Sequence, residues 1–205
     1  NDSARLASSA GHGSHADRVH AAEHLREGLA TIAPQTAQLL GADALGQFID
    51  SPTFMDRRPL AARVSRWLRE QGERSLAELV RFEADLVAAE GEDRAFRALG
   101  SSDLPRPASA LFVRNPRFRM ASYDVDVAAM HASGEADAPP QPTTLLIGGF
   151  DEGVSVLPCP PAVHALWDAL EAPERCTEAH LEAAFDAQPR PSADLPQDAA
   201  SWIDE

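Results

Sequence analysis

Apolar positions follow helical spacing through the N-terminal half of the chain and change to strand-like alternation only after it. Between residues 17 and 33, Val19, Leu25, Leu29 and Ile32 recur at helical intervals; Asp17 is placed to cap the start and Pro34 to close the segment. A second helix is predicted from Thr36 to Asp50 on Leu39, Leu40, Leu45, Phe48 and Ile49, kept short or kinked by Gly41 and Gly46. A third runs from about Thr53 to Gln71 with Leu60, Val64, Trp67 and Leu68 on one face; Pro59 weakens its first half and Gly72 ends it. The cleanest pattern is Ser75 to Glu90, where Ser75-Leu-Ala-Glu78 reads as a capping box. Leu76, Leu79, Val80, Phe82, Leu86 and Val87 form its apolar stripe.

The pattern changes at Gly100. Ser101 to Pro107 holds turn residues and two prolines and reads as a linker. Ala110 to Val113 and Phe118 to Tyr123 are short strand candidates, and Val125 to His131 reads as one or two helical turns. After a polar, Pro-rich loop at 134–142, Thr143 to Ile147 and Val154 to Leu157 form a hairpin about the turn Gly148 to Gly153. Pro160 or Pro161 opens a helix bearing Val163, Leu166, Trp167 and Leu170, and Thr177 begins a last one with Leu181 and Phe185. The predicted class is α+β: an N-terminal helical bundle, then a small winged-helix-like domain with a short antiparallel sheet. The expected boundaries are a flexible tail at 1–16, a helical domain at 17–100, the winged-helix-like domain at 108–187 and an acidic, Pro-containing tail at 188–205.

Charge narrows the chemistry. Among 205 residues there are 18 basic and 32 acidic, a formal net charge of −14, and every basic residue is an arginine. Without lysine there is no Schiff-base chemistry, phosphate-loop lysine or Ser–Lys nucleophile. The acidic balance argues against a nucleic-acid partner, because phosphate contacts need a basic surface. Cys159 and Cys176 read as free thiols in a reducing cytoplasm rather than a disulfide framework. No apolar run is long enough to span a membrane, and the Ser-, Gly- and His-rich start has no apolar signal core.

Catalytic signals are sparse. His20 and His24 stand four apart on a helix, a spacing that can hold a metal, but no third ligand accompanies them, so no metal is expected to bind. Glu78, Glu83 and Asp85 read as a solvated face with Arg74 and Arg81. Pairing Cys159 or Cys176 with His164 or His180 is possible only on paper. Glu178, Glu182 and Asp186 on the last helix would repel DNA phosphates. The remaining use of a winged-helix-like sheet is strand addition to an extended peptide. The peptide-binding candidates are Val154, Ser155, Val156 and Leu157 on the edge strand, with Val163, Leu166 and Trp167 flooring a groove. Phe48, Phe54, Trp67 and Phe96 are expected at a partner interface, as more apolar surface than the helical half can bury alone.

Several stretches also follow a known order: Ser75-Leu-Ala-Glu-Leu-Val-Arg-Phe-Glu83, then Asn115-Pro116, then Tyr123-Asp-Val-Asp-Val127, then the Leu-Leu-Ile-Gly-Gly hairpin and the helix Ala-Leu-Trp-Asp-Ala-Leu170. Over roughly residues 36–187 this resembles the small partner proteins of multinuclear non-haem iron oxidative enzymes that modify ribosomally made peptides. The methanobactin-biosynthesis partners of the MbnC type are most similar, and the TglI type is a near relative. The resemblance implies a non-catalytic accessory subunit with no cofactor of its own, the iron belonging to the partner enzyme. It also implies a C-terminal domain similar to a peptide recognition element, which takes the leader of the precursor peptide as an added strand. The enzyme subunit would act on cysteine of that precursor in making a copper chelator. Two alternatives stand beside this reading. One is an acidic regulatory protein with a degenerate winged helix acting through protein–protein contacts. The other is a stand-alone enzyme using His20, His24 or Cys176.

Overall fold

The computed structural model describes residues 15–91, 114, 118–138, 140–150, 153–171 and 177–187. It is an α+β structure, mixing helices with one small antiparallel sheet. The elements are α1 (His15–Ile32), α2 (Pro34–Leu39), α3 (Ala42–Ile49), a 3-10 turn (Pro52–Met55), α4 (Leu60–Glu70), α5 (Arg74–Gly91), β1 (Phe118–Tyr123), α6 (Val127–Ser133), β2 (Thr143–Phe150), β3 (Gly153–Pro158), α7 (Pro161–Ala169) and α8 (Glu178–Asp186). The chain divides into two compact units, Asn1–Ala84 with Val125–Pro140, and Asp85–Asp124 with Gln141–Glu205. The predicted linker at 101–107 and the strand candidate at 110–113 lie outside the described residues, as do both predicted tails apart from the start of α1.

In the helical unit the punctuating residues act differently from their simplest reading. Pro34 does not merely stop α1; it opens α2. Proline has no N–H, and the first turn of a helix needs none, so one residue serves as both stop and start. The predicted helix 36–50 is two helices. Gly41, in extended conformation, precedes α3, whereas Gly46 lies inside it. Before Pro59 only the single 3-10 turn forms, and α4 starts directly after this proline.

The core of this unit joins Leu25, Leu29, Leu40, Leu45, Phe48, Val64, Trp67, Leu68 and Val80. Phe48 meets Phe54 edge-on at 5.5 Å between ring centroids and lies 5.5 Å from Trp67. Phe48 and Trp67 are therefore core residues, 1% and 4% exposed, and do not offer their rings to a partner. Helices packed around an aromatic cluster bury more apolar area than the sequence count allowed for. Phe54 is half-buried, with the Arg63 guanidinium 5.7 Å from its ring centroid; Phe96 lies outside the described residues.

The acids of α5 are not a solvated face. Glu78 and Glu83 are both 1% exposed. Ser75 is not a cap either, because the helix already includes Arg74. Glu78 accepts from Arg69 and Arg81. Glu83 accepts from the backbone N–H of Gln35 at 2.7 Å and of Thr36 at 2.9 Å. Burying a carboxylate is costly unless charge or donors meet it, and each of these acids has such partners.

The sheet of the second unit runs β1-β2-β3, antiparallel throughout. β2 is longer than predicted and pairs through Phe150 with Gly153. Gly148 and Gly149 belong to the strand, for reasons of space. A Cβ on Gly148 would sit 2.3 Å from the Phe118 ring, and one on Gly149 would sit 2.3 Å from the Ala89 carbonyl oxygen. Only glycine permits such close approach within a strand. Tyr123 and Arg119 reach Asp85 of the same unit, at 2.7 and 3.2 Å. Beyond β3, Ala162 and Leu166 of α7 pack on Leu181 and Phe185 of α8.

Candidate functional site

β2 holds the centre of the sheet, so β3 is an edge strand. Its outer side has no strand partner among the described residues. Val154 and Val156 are half-buried, whereas Ser155 and Leu157 are exposed, Leu157 to 47%.

The ladder fixes which backbone groups the open edge presents. The Cys159 amide donates to the Thr144 carbonyl at 2.9 Å, one step beyond the Leu145–Pro158 pair. Antiparallel pairs alternate between bonded and non-bonded. Leu157 and Ser155 therefore turn their backbone groups toward β2. Val154 and Val156 turn theirs outward, and Pro158 presents a carbonyl but no donor. An added strand would meet donors and acceptors at Val154 and Val156, with pairing ending at Pro158.

The register also sorts the faces. Met120, Leu146 and Leu157 stand opposite one another across the three strands. Met120 and Leu146 are half-buried, so with Leu157 they form an accessible apolar row. The opposite face holds Tyr123, Leu145 and Ile147, all buried. At the end of the accessible face, Thr144, Cys159, Pro161, His164, Ala165 and Asp168 line a shallow cleft of about 370 Å³.

The predicted groove floor is only partly present. Leu166 is buried in the cluster that α7 forms with Leu181 and Phe185 of α8. A helix beside a hairpin can turn its apolar stripe to either neighbour, and here α8 takes it. Val163 is buried as well. Trp167 is half-buried; its carbonyl accepts from Arg114 Nε and Nη2 at 2.9 and 2.8 Å, and the guanidinium lies 4.9 Å from its ring centroid. Arg114 thus fixes Trp167 by both its backbone and its π face.

The thiol in the cleft is kept protonated. Cys159 is pushed up to about 11 by burial, with a further push from the negative charge of Asp168. It donates to the Met120 sulfur at 3.5 Å. His164 Nδ1 lies 3.0 Å from Asp168, not in a bond to the thiol. Neutral thiols are poor nucleophiles, so this arrangement does not activate Cys159. Cys176 lies outside the described residues.

His20 and His24 do converge, with their Nε2 atoms 3.0 Å apart on the exposed side of α1. His24 Nδ1 lies 3.4 Å from Glu27. Among the described residues no group of three or more His, Cys, Asp or Glu side chains could hold a metal ion, and no helix is long and apolar enough to cross a membrane. Glu178, Glu182 and Asp186 are exposed along α8.

Sequence reasoning missed the Cys159–Met120 contact and the buried partners of Glu78 and Glu83. The Glu83 partners are 47 and 48 positions away, beyond any local pattern. Compared with models of protein families and with curated proteins, the chain matches none.

Proposed function

We propose that this chain is the non-catalytic partner subunit of a cytoplasmic, iron-dependent oxidative enzyme of the methanobactin type, which modifies cysteine in a ribosomally made precursor peptide. In this reading the second unit is a winged-helix-like peptide recognition element. It takes the leader of the precursor as a strand added to β3, and the iron and the oxidation belong to the other subunit. The observation that supports it is the open edge of β3: outward backbone groups at Val154 and Val156 beside the accessible row of Met120, Leu146 and Leu157. Strand addition draws affinity from main-chain bonds and selectivity from alternate side chains, and this edge supplies both. The protonated Cys159 fits a binding role better than a catalytic one.

The test is fluorescence polarisation with a labelled synthetic leader of a methanobactin-type precursor. Val156→Pro removes an outward donor and leaves the bonds between β2 and β3 intact, so affinity should fall about tenfold or more, the equivalent of about 1.4 kcal/mol. Equal affinity in Val156→Pro, with an unchanged circular dichroism spectrum, refutes binding at β3.

A further inference from the structure

The helical unit carries a pair of ligating side chains that the leader-binding reading does not use. His20 and His24 stand four apart on α1, which places them one above the other on the same face of the helix. Both are exposed, and their Nε2 atoms lie 3.0 Å apart. The ring centroids are further apart, at 4.3 Å, so the two rings lean toward one another at these nitrogens.

Glu27 decides which lone pair is free. Its carboxylate lies 3.4 Å from His24 Nδ1 and favours the tautomer with the proton on that nitrogen. His24 Nε2 is then an acceptor, and His20 Nε2–H donates to it. Moving that one proton to His20 Nδ1 is a change of tautomer only, and it frees both Nε2 lone pairs. A carboxylate on the far nitrogen of an imidazole is the usual support of a metal-bound histidine, fixing its ring and raising its basicity. The separation of the nitrogens then selects the geometry. With metal–imidazole bonds of about 2.0–2.1 Å, ligands at a right angle place their nitrogens about 2.9 Å apart, and ligands at the tetrahedral angle about 3.3 Å. The observed 3.0 Å fits the right angle.

We propose that His20 and His24 bind a late divalent transition-metal ion of tetragonal preference, Cu(II) or Ni(II), through their Nε2 atoms, with Glu27 as the positioning residue for His24. Right-angled nitrogen and oxygen ligation suits these two ions, and Cu(II) stands highest in the general order of affinities. Among the described residues no third His, Cys, Asp or Glu completes a metal-binding group, so water fills the other positions. That argues against a closed structural site, which needs four protein ligands, and not against an open one. The site lies wholly on α1 and shares no residue with β3, so it stands or falls apart from the leader-binding reading.

Titration of the full chain with Cu(II), Ni(II) and Zn(II) salts, followed by calorimetry, decides the matter. One equivalent of Cu(II) should bind most tightly, and its electron paramagnetic resonance spectrum should be axial, with hyperfine splitting from two nitrogens. His20→Ala and His24→Ala should each weaken Cu(II) binding about tenfold or more, because either change leaves a single point of attachment. Both positions are exposed and alanine favours a helix, so the fold is kept, as circular dichroism would show. Glu27→Gln should weaken binding several-fold and leave the two-nitrogen spectrum in place. Replacing His12 and His15 together by Ala should change neither affinity nor spectrum. Cu(II) affinity unaltered in the His20→Ala, His24→Ala double variant, uptake lost instead with His12 and His15, or Zn(II) bound as tightly as Cu(II) would each overturn the proposal.

Discussion

Glu83 Oε2 accepts both the amide and the hydroxyl of Thr36, at 2.9 and 2.6 Å, and so caps the first turn of α2 from a different helix. Helix α2 has no side-chain cap of its own, and Pro34 contributes no N–H, so the amides of Gln35 and Thr36 are the first that need partners. Glu83→Gln keeps the shape but exchanges one acceptor for a donor beside these N–H groups. Its expected cost is about 1–3 kcal/mol by urea denaturation. Thr36→Val removes the hydroxyl bond alone and should cost about 1 kcal/mol. Additive losses in the double variant would show that the two groups do not act as a unit.

The helices were largely legible because their apolar spacing and breakers are local signals. Phe118 to Tyr123 and the alternation at Val154 to Leu157 were legible for the same reason. What escaped was whatever depends on a distant partner. Glu78 and Glu83 look like exposed acids until Arg69, Arg81 and the start of α2 are placed beside them. Gly148 and Gly149 carry the composition of a turn, yet the Phe118 ring and the Ala89 carbonyl require them inside a strand. Phe48 and Trp67 add to a count of large apolar residues, and a count does not reveal how well helices close over them.

The two strand glycines should respond differently to a methyl group. At Gly148 the obstacle is the Phe118 side chain, which can rotate; at Gly149 it is the backbone carbonyl of Ala89. Gly149→Ala is therefore expected to cost about 1–3 kcal/mol as overpacking, and Gly148→Ala less than half of that. Parallel urea melts check the order, and a larger loss for Gly148→Ala would contradict it.

Leu157 and Leu166 separate binding from packing. Leu166→Ala opens a hole against Leu181 and Phe185 and should cost about 2–3 kcal/mol. Leu157→Ser changes an exposed position and should stay within about 0.5 kcal/mol of the parent. If the leader lies along β3, Leu157→Ser should nevertheless weaken its binding several-fold. Polarisation and melting curves on the same two proteins give both readings, and a Leu157→Ser protein that loses stability instead would return this residue to the core.

Cys159 supplies a prediction in pH. Its thiol is raised from 9.0 to about 11 by burial, with a further contribution from Asp168. The folded chain therefore holds this proton more tightly than the unfolded chain. The associated stability is complete below pH 9 and is lost as pH rises from 9 through about 11, because the unfolded thiol ionises first. The half-buried setting keeps the loss below the full value for such a shift. Reactivity gives the sharper measurement. In a Cys176→Ser background at pH 8, a thiolate-selective disulfide reagent should modify Cys159 about 100-fold more slowly than in the urea-unfolded chain, as expected for a thiol pushed up from 9.0 to about 11. Asp168→Asn removes the negative charge and should speed the reaction a few-fold without changing the fold. Equal rates in native and unfolded protein would mean that Cys159 ionises as an ordinary exposed thiol, and the case for a protonated group in the cleft beside β3 would be withdrawn.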